Sequence, residues 1–147
     1  MAYLVDTNVF LRLVPKKDPD RHTVLHSLQK LRINNEQLFY TTQVLAEFLT
    51  VYTRPASARG GYGLSFKRAE RKLRLIERYC RLLPDSAATH QEWRQLVVAY
   101  SVKGVEVHDA RLVASLIIHR VNNLLTFDTG DFKRYKEITV VSPADLK

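Results

Sequence analysis

Short apolar runs alternate along this chain with longer segments whose apolar residues recur at helical spacing, and this alternation limits the fold more than any other feature. The runs "YLVD", "LFYTT", "LLP", "NNLLTF" and "ITVVS" have the lengths of strands. Between them lie amphipathic segments such as "SFKRAERKLRLIERYC". Because strands that alternate with helices are typical of α/β domains, we predict a mainly parallel central sheet with helices on both faces.

The hydrophobic spacing also gives bounds for the predicted elements. Strands are predicted over residues 3–6, 38–42, 82–84, 122–127 and 138–142. Helices are predicted over residues 17–31, 43–54, 65–80, 86–101 and 108–119. In the first helix Asp18 can serve as the cap and Pro19 suits the first helical position. Residues 54–65 contain Pro55 and three glycines, which indicates a loop. A single domain over residues 1–147 is expected.

The charge balance is informative about what this chain binds. Its 23 lysine and arginine residues against 15 acidic ones give a net charge of +8, which favours polyanionic partners and nucleic acid above all. The single cysteine, Cys80, excludes an internal disulfide and fits a reducing cytoplasmic compartment. The sequence has no signal-peptide pattern and no apolar run near the roughly 20 residues of a membrane span, so a soluble protein is expected.

Two acidic residues follow predicted strands. Asp6 ends the first strand, and Asp128 lies one residue beyond the strand predicted over residues 122–127. Ligand sites of open α/β sheets lie outside the carboxyl ends of the strands. If these two strands are neighbours, the two carboxylates are therefore close together at one edge of the sheet.

Two more acidic residues lie on predicted helices, where each also has an ordinary explanation. Asp109 stands on the same face as Leu112 and Val113, at the N-terminal end of its helix, and it fits either a functional acid or a helix cap. Glu47 borders the apolar face of the helix predicted over residues 43–54, where a half-exposed glutamate is common. Taken singly, neither residue indicates a site.

Taken together, the acids at strand ends and on core-facing helix positions predict a metal site. Carboxylates that are held close to one another repel, and their burial without a partner is costly. Mg²⁺ or Mn²⁺, which prefer oxygen ligands, would compensate this charge. His22 and His26 have a spacing that zinc sites use, but they lie on the polar side of their helix. A metal held by carboxylates in a basic protein suggests hydrolysis of phosphodiesters.

Four motifs, in order, resemble the signatures of PIN-domain nucleases: "YLVDTN", "VLAEF", "VHDARLVA" and "LLTFDTGDF". More narrowly, nearly the whole chain resembles the VapC-type toxins of bacterial and archaeal toxin–antitoxin modules. The resemblance implies a three-layer PIN-like domain that acts as an Mg²⁺- or Mn²⁺-dependent endoribonuclease. It also implies a homodimer and a small cognate antitoxin that covers part of the active cleft.

The resemblance further assigns roles to individual residues of this sequence. The implied catalytic acids are Asp6, Glu47, Asp109 and Asp128. The implied metal ligands are Asp6, Asp109, Asp128 and Asp131, since family members use one or other of the last two positions as their fourth acid. Thr7 and Asn8 are implied to support the metal site.

Two further features have two interpretations each. Lys67, Arg68, Arg71 and Lys72 form either an RNA-binding face beside the 54–65 loop or a solvated helix side. Trp93 lies at helical spacing with Leu96 and Val97, which predicts a core position rather than a platform for stacking bases.

Other functions stay open on the sequence alone. Phosphatases of the haloacid dehalogenase type also place an aspartate after the first strand, but they need a second acid two residues on, where this chain has Asn8. A basic RNA-binding module without catalysis gains nothing from gathered carboxylates. A housekeeping PIN nuclease of RNA processing shares the motifs and differs from a toxin in its genomic context.

Overall fold

A computed structural model describes residues 1–146. The strands are β1 (Ala2–Val5), β2 (Gln37–Thr41), β3 (Arg81–Leu83), β4 (Asn123–Leu125) and β5 (Thr139–Val141). The helices are α1 (Thr7–Leu11), α2 (Arg21–Ile33), α3 (Thr42–Thr53), α4 (Phe66–Tyr79), α5 (Ala87–Ala99), α6 (Glu106–Ile118) and α7 (Thr129–Phe132). A turn of 3₁₀ helix follows at Pro143–Leu146. The predicted α/β architecture is confirmed.

The five strands form one sheet in the order β3-β2-β1-β4-β5, and every neighbouring pair is parallel. From β1 the chain moves outward to β2 and β3, and then returns across the sheet to β4 and β5. Because crossover connections of parallel strands are right-handed, the reversal puts helices on both faces of the sheet. The order reverses between β1 and β4, where Val5 is in register with Leu125.

The core of the sheet is apolar where these two central strands meet. Leu4, Val5, Leu124 and Leu125 have no exposed side-chain surface, because helices cover both faces. Polar groups can therefore reach solvent only beyond the strand ends. No helix in the described part of the chain combines the length and the apolar character that crossing a bilayer requires.

Two predicted bounds, at Pro19 and at Phe127, were wrong, and the short helix α1 was missed. Helix α2 begins at Arg21 and not at Pro19, because the Asp18 carboxylate accepts the Asp20 N–H at 2.9 Å and forms a turn before the helix. Helix α1, directly after β1, was not predicted from its five residues. Strand β4 ends at Leu125, since the N–H of Phe127 is bonded to the Asn8 side chain and not to a strand.

Candidate active site

Asp6 lies at the carboxyl end of β1 and is 7% exposed. Its Oδ1 accepts the N–H of Thr7 at 2.7 Å, so the carboxylate also caps helix α1. Its Oδ2 accepts the hydroxyl of Thr126 at 2.7 Å. These bonds hold the side chain at the point where the strand order reverses, which is where α/β sheets bind ligands.

Asn8 joins Asp6 to Asp128. Its Nδ2 lies 3.2 Å from Asp6 Oδ2, 2.9 Å from Asp128 Oδ2 and 2.9 Å from the hydroxyl oxygen of Thr126. Its Oδ1 accepts the N–H of Phe127 at 3.2 Å, which fixes the orientation of the amide. The positive end of this amide therefore lies between two carboxylates that would otherwise repel each other.

Thr126 is a site residue that the sequence reasoning did not single out. It is fully buried, and its hydroxyl donates to Asp6, accepts from the Asn8 amide and accepts the N–H of Asp128 at 3.1 Å. One hydroxyl thus orients both carboxylates and the amide between them. Its position directly after a buried apolar run was the available signal.

Glu47 reaches the same place from α3. Its Oε2 accepts the Thr7 hydroxyl at 2.9 Å and its Oε1 accepts the Gln43 amide at 3.0 Å. Helix α3 begins directly after β2, with Thr41 as its cap, so Glu47 lies less than two turns above the carboxyl edge of the sheet. The half-exposed glutamate is therefore a member of the site and is held on both sides.

Gln43 is a second residue that the sequence reasoning missed. Besides bonding Glu47, its amide nitrogen donates to the backbone carbonyl of His108 at 2.9 Å. Its own Oε1 is buried and has no hydrogen bond among the described residues. Both neighbours of the nitrogen are acceptors, so the amide orientation is determined. Gln43 thereby ties α3 to the first turn of α6.

Asp109 stands in the first turn of α6 and is half-buried. The helix begins at Glu106 after Val105, so the alternative in which Asp109 caps the helix is wrong. The turn at Gly104, which has a positive φ, precedes the helix, and the helix begins two residues earlier than predicted.

The four predicted catalytic acids line one groove of about 430 Å³ at the carboxyl edge of the sheet. They come from four separate segments: Asp6 after β1, Glu47 on α3, Asp109 on α6 and Asp128 after β4. Thr7 and Asn8 also line this acid groove. The structure thus brings together residues that are up to 122 positions apart in the sequence, from Asp6 to Asp128.

Asp131 does not line the acid groove, but its carboxylate is near Asp109. Its charge is the largest electrostatic contribution that raises the pKa of Asp109. Asp131 is exposed on the short helix α7. Of the two alternatives for the fourth acid, Asp128 is the one that lines the acid groove, and its role stays a prediction.

Arg54 is the one cationic side chain that lines the acid groove within the described chain. It follows α3 as the C-cap residue, and its Nη1 donates to the carbonyl of Arg59 at 2.8 Å. The 54–65 loop folds back onto the end of α3 through bonds such as Gly63 N to Arg54 O at 2.8 Å. At Gly61 a Cβ would lie 2.4 Å from the Pro55 carbonyl oxygen, so only glycine fits.

Lys67, Arg68, Arg71 and Lys72 are exposed on α4 and do not line the acid groove. The structure is compatible with both interpretations given above, an RNA-binding face and a solvated helix side. RNA binding by this face stays a prediction.

The pKa values of two groove carboxyls are raised. Burial raises the pKa of Asp6 to about 7, with smaller contributions from the charges of Glu47 and Asp128, and hydrogen bonds from Thr126 and Thr7 oppose it. Burial raises the pKa of Asp109 to about 6, helped by Asp131, Glu47 and Asp128. A nearby cation would lower both pKa values, because it favours the ionised form of each carboxyl.

The donor set of the groove fits a hard divalent cation. Carboxylate, hydroxyl and amide oxygens are the ligands that Mg²⁺ and Mn²⁺ prefer. In the arrangement of the described residues, no group of three acidic, histidine or cysteine side chains converges on one point at metal-binding distance. The Asn8 amide lies between Asp6 and Asp128 and contacts both carboxylates.

Comparisons with known proteins agree with this fold. The family model described as "PIN domain" matches residues 3–138. A comparison with curated proteins finds no match.

Solved structures share the fold. VapBC2 from Rickettsia felis, bound to a DNA fragment from its promoter, is 18% identical with a TM-score of 0.72, over 97% of this chain and 98% of that one. VapBC-1 from nontypeable Haemophilus influenzae is 16% identical with a TM-score of 0.69, over 97% and 98%. VapC20 from Mycobacterium tuberculosis, a toxin that cleaves the sarcin–ricin loop, is 21% identical with a TM-score of 0.64, over 92% and 96%.

Proposed function

The chain belongs to the PIN-domain family, and on that premise we propose that it is a divalent-metal-dependent endoribonuclease and the toxin of a toxin–antitoxin pair. One observation carries the proposal: four carboxylates from separate segments line one groove of a basic protein, and two of them have raised pKa values. A pure phosphate-binding groove would not gather negative charge. A groove that holds a divalent cation together with a phosphate requires this negative charge to bind the cation.

The roles of the residues follow from their positions. Asp6, Asp109 and Asp128 would hold Mg²⁺ or Mn²⁺, with Asp131 as a further contributor near Asp109. A bound divalent cation supplies polarisation of the scissile phosphate and a lower pKa for attacking water. Glu47 is oriented by Thr7 and Gln43, so its carboxylate can receive the proton of that water.

Arg54 lines the acid groove and would contact the RNA phosphate there. Water attacks in line with the leaving oxygen, and no side-chain nucleophile is needed. The products are a 5′-phosphate and a 3′-hydroxyl.

Two partners and a compartment belong to the same proposal. Solved structures with this fold include toxin–antitoxin complexes, some bound to DNA, which supports a small cognate antitoxin for this chain. We also propose a homodimer in the cytoplasm. Co-purification with the product of the adjacent gene tests the antitoxin, and light scattering of the purified protein tests the dimer.

The experiment that tests the nuclease is cleavage of a mixed cellular RNA pool by the purified chain, with Mg²⁺, with Mn²⁺ and with EDTA. Asp6→Asn keeps the shape of the side chain and removes its charge, so cleavage should disappear. Glu77→Gln, an exposed carboxyl on α4 outside the acid groove, is the matched control and should leave cleavage unchanged. Cleavage by Asp6→Asn at the wild-type rate would contradict the assignment.

The remaining alternatives make different predictions in the same assay. A non-catalytic RNA-binding module binds the pool without producing fragments under any metal. A housekeeping nuclease produces fragments but does not arrest growth when it is expressed without the neighbouring gene.

A further inference from the structure

A second cavity of about 450 Å³ lies beside the acid groove. It lies beyond the carboxyl end of β3, between the beginning of α5 and the beginning of α6, and its wall includes Asp85, His90, Trp93, His108 and Arg111. This size is in the range of small-molecule sites in proteins. We propose that this cavity, the β3 pocket, binds a guanine base of the RNA next to the cleaved phosphate. The inference rests on the proposed nuclease function and adds a base preference to it.

The position of the β3 pocket relates it to the acid groove. The two cavities share no residue, but helix α6 forms a wall of both. His108 and Arg111 face the β3 pocket, and Asp109, between them in sequence, faces the acid groove. Gln43 fixes this turn of α6 through the carbonyl of His108. A nucleotide next to a phosphate bound in the acid groove is therefore within reach of the β3 pocket.

One wall of the β3 pocket is aromatic. The rings of His90 and Trp93 have centroids 5.8 Å apart. The Trp93 indole N–H donates to the carbonyl of Val107 at 2.9 Å, which fixes the ring against α6. Trp93 packs against the core but is only partly buried and lines the cavity, so the predicted core position is correct only in part. A fixed indole ring with an imidazole ring beside it is the kind of aromatic surface on which proteins stack unpaired RNA bases.

The polar groups of the β3 pocket belong to an ion pair between Arg111 and Asp85. Arg111 Nη2 lies 2.7 Å from Asp85 Oδ2, and both side chains are partly exposed, at 44% and 39%. Asp85 Oδ1 has no hydrogen bond among the described residues, and the other guanidinium N–H groups of Arg111 are available. The β3 pocket therefore presents an acceptor and several donors side by side, next to an aromatic surface.

Guanine is the base that matches this pair. Its Watson–Crick edge carries two adjacent N–H donors, which a carboxylate accepts together, and its O6 and N7 accept from a guanidinium. Adenine, cytosine and uracil lack two adjacent donors on that edge. RNA-binding proteins read unstacked bases through these edges.

The chain offers a direct probe, because Trp93 is its single tryptophan. Intrinsic fluorescence is measured in EDTA while 5′-GMP, 5′-AMP, 5′-CMP or 5′-UMP is added. RNA hexamers with one guanine among uracils, or with uracil alone, are then compared. The expected result is saturable quenching that is strongest for 5′-GMP and for the guanine-containing hexamer.

Variants of Asp85 and Arg111 test whether their ion pair recognises guanine. Asp85→Asn and Arg111→Gln should each weaken guanine binding about ten-fold or more. Arg94→Gln, an exposed arginine on α5 that does not line the β3 pocket, is the matched control and should leave binding unchanged. In the cleavage assay the Asp85 variant should also lose a guanine preference next to the cut.

Several outcomes would overturn the proposal. One is that no nucleotide or hexamer quenches the fluorescence in a saturable way, and another is that all four bases bind with equal affinity. A third is that only a peptide of the cognate antitoxin quenches the fluorescence. Binding in EDTA does not need catalysis, so the two proposals fail separately. If the wild-type chain cleaves RNA but no nucleotide quenches its fluorescence, the proposal for the β3 pocket is wrong and the nuclease proposal stands. If the chain binds guanine but cleaves no RNA, the nuclease proposal is wrong and the β3 pocket proposal stands.

Discussion

Single carboxylates in this protein acquire their properties from the groups that surround them. Asp6 could have been an ordinary helix cap, and it does cap α1. What distinguishes it is the combination of 7% exposure with the negative charges of Glu47 and Asp128 nearby. The same residue therefore stabilises the backbone locally and carries a proton at pH values where most aspartates are ionised.

We expect the raised pKa of Asp6 to appear as a pH dependence of stability. Between pH 3.8 and about 7 the folded chain keeps a proton on Asp6 that the unfolded chain releases. The free energy of unfolding contributed by this group therefore falls as the pH rises through that window, by at most about 1.4 kcal/mol per pH unit. Urea unfolding in EDTA at pH 5, 6, 7 and 8 measures this decrease in the free energy of unfolding.

The Asp6→Asn variant is the reference protein for this measurement, since its amide side chain does not titrate. The wild-type free energy of unfolding, taken relative to that of the variant, should decrease from pH 5 to pH 7 and level off above. Parallel curves for the two proteins would show that Asp6 does not have the raised pKa.

At the scale of helices and strands, the acid groove depends on how α3 and α6 are held together. Helix α3 provides Glu47 and α6 provides Asp109, and the two helices have different neighbours: α3 contacts α1 and α4, whereas α6 packs against α5. The Gln43 side chain joins them, from Glu47 to the carbonyl of His108. The spacing of the two carboxylates is therefore controlled by a buried amide that is not itself acidic.

We expect Gln43→Met to impair both stability and cleavage. Methionine fills a similar volume but leaves Glu47 Oε1 and the His108 carbonyl without the Gln43 donor, which should cost about 1–3 kcal/mol of stability and lower the cleavage rate. Urea unfolding and the initial rate of RNA cleavage measure the two effects. Gln91→Met, on the exposed surface of α5, should change neither.

The basic segment of α4 gives a second prediction at this scale. If this face contacts RNA phosphates, Arg68→Ala together with Arg71→Ala should weaken RNA binding and reduce the dependence of log affinity on log salt by about 2. Arg94→Ala together with Lys103→Ala removes the same charge elsewhere and is the control. Equal salt slopes for the two double variants would identify the α4 residues as a solvated helix side.

For the whole molecule, the proposed binding of a divalent cation in the acid groove would be coupled to folding. The proposed ligands come from segments spread over most of the chain, so a cation that they hold together would bind only the folded state. Binding at 100 times the dissociation constant adds about 2.7 kcal/mol of stability.

We therefore expect Mn²⁺ to raise the melting temperature, by about 5–10 °C for a chain of this size. Differential scanning calorimetry with Mn²⁺ and with EDTA measures the gain. The gain should vanish in Asp109→Asn and persist in Glu77→Gln. Full stabilisation of Asp109→Asn by Mn²⁺ would place the cation elsewhere.

The sequence by itself determined the fold class, the existence of all five strands and the acids that line the groove. Strands buried between helices must be short and apolar, and this pattern is local, so it is readable from the chain. A carboxylate directly after such a strand, as at Asp6, is equally local. The bounds near Asp18 and Phe127 were wrong because side-chain hydrogen bonds, and not hydrophobic spacing, end those elements.

Only the tertiary structure decided how these residues meet. That β1 and β4 are neighbours joins Asp6 to Asp128 through Asn8 and Thr126, and no local pattern encodes that pairing. The contact between Gln43 and His108, the raised pKa values, and the cavity beside Trp93 likewise depend on segments far apart in sequence. Hydrophobic periodicity specifies which faces are buried, whereas the partners across a buried face are set by the packing of the whole chain.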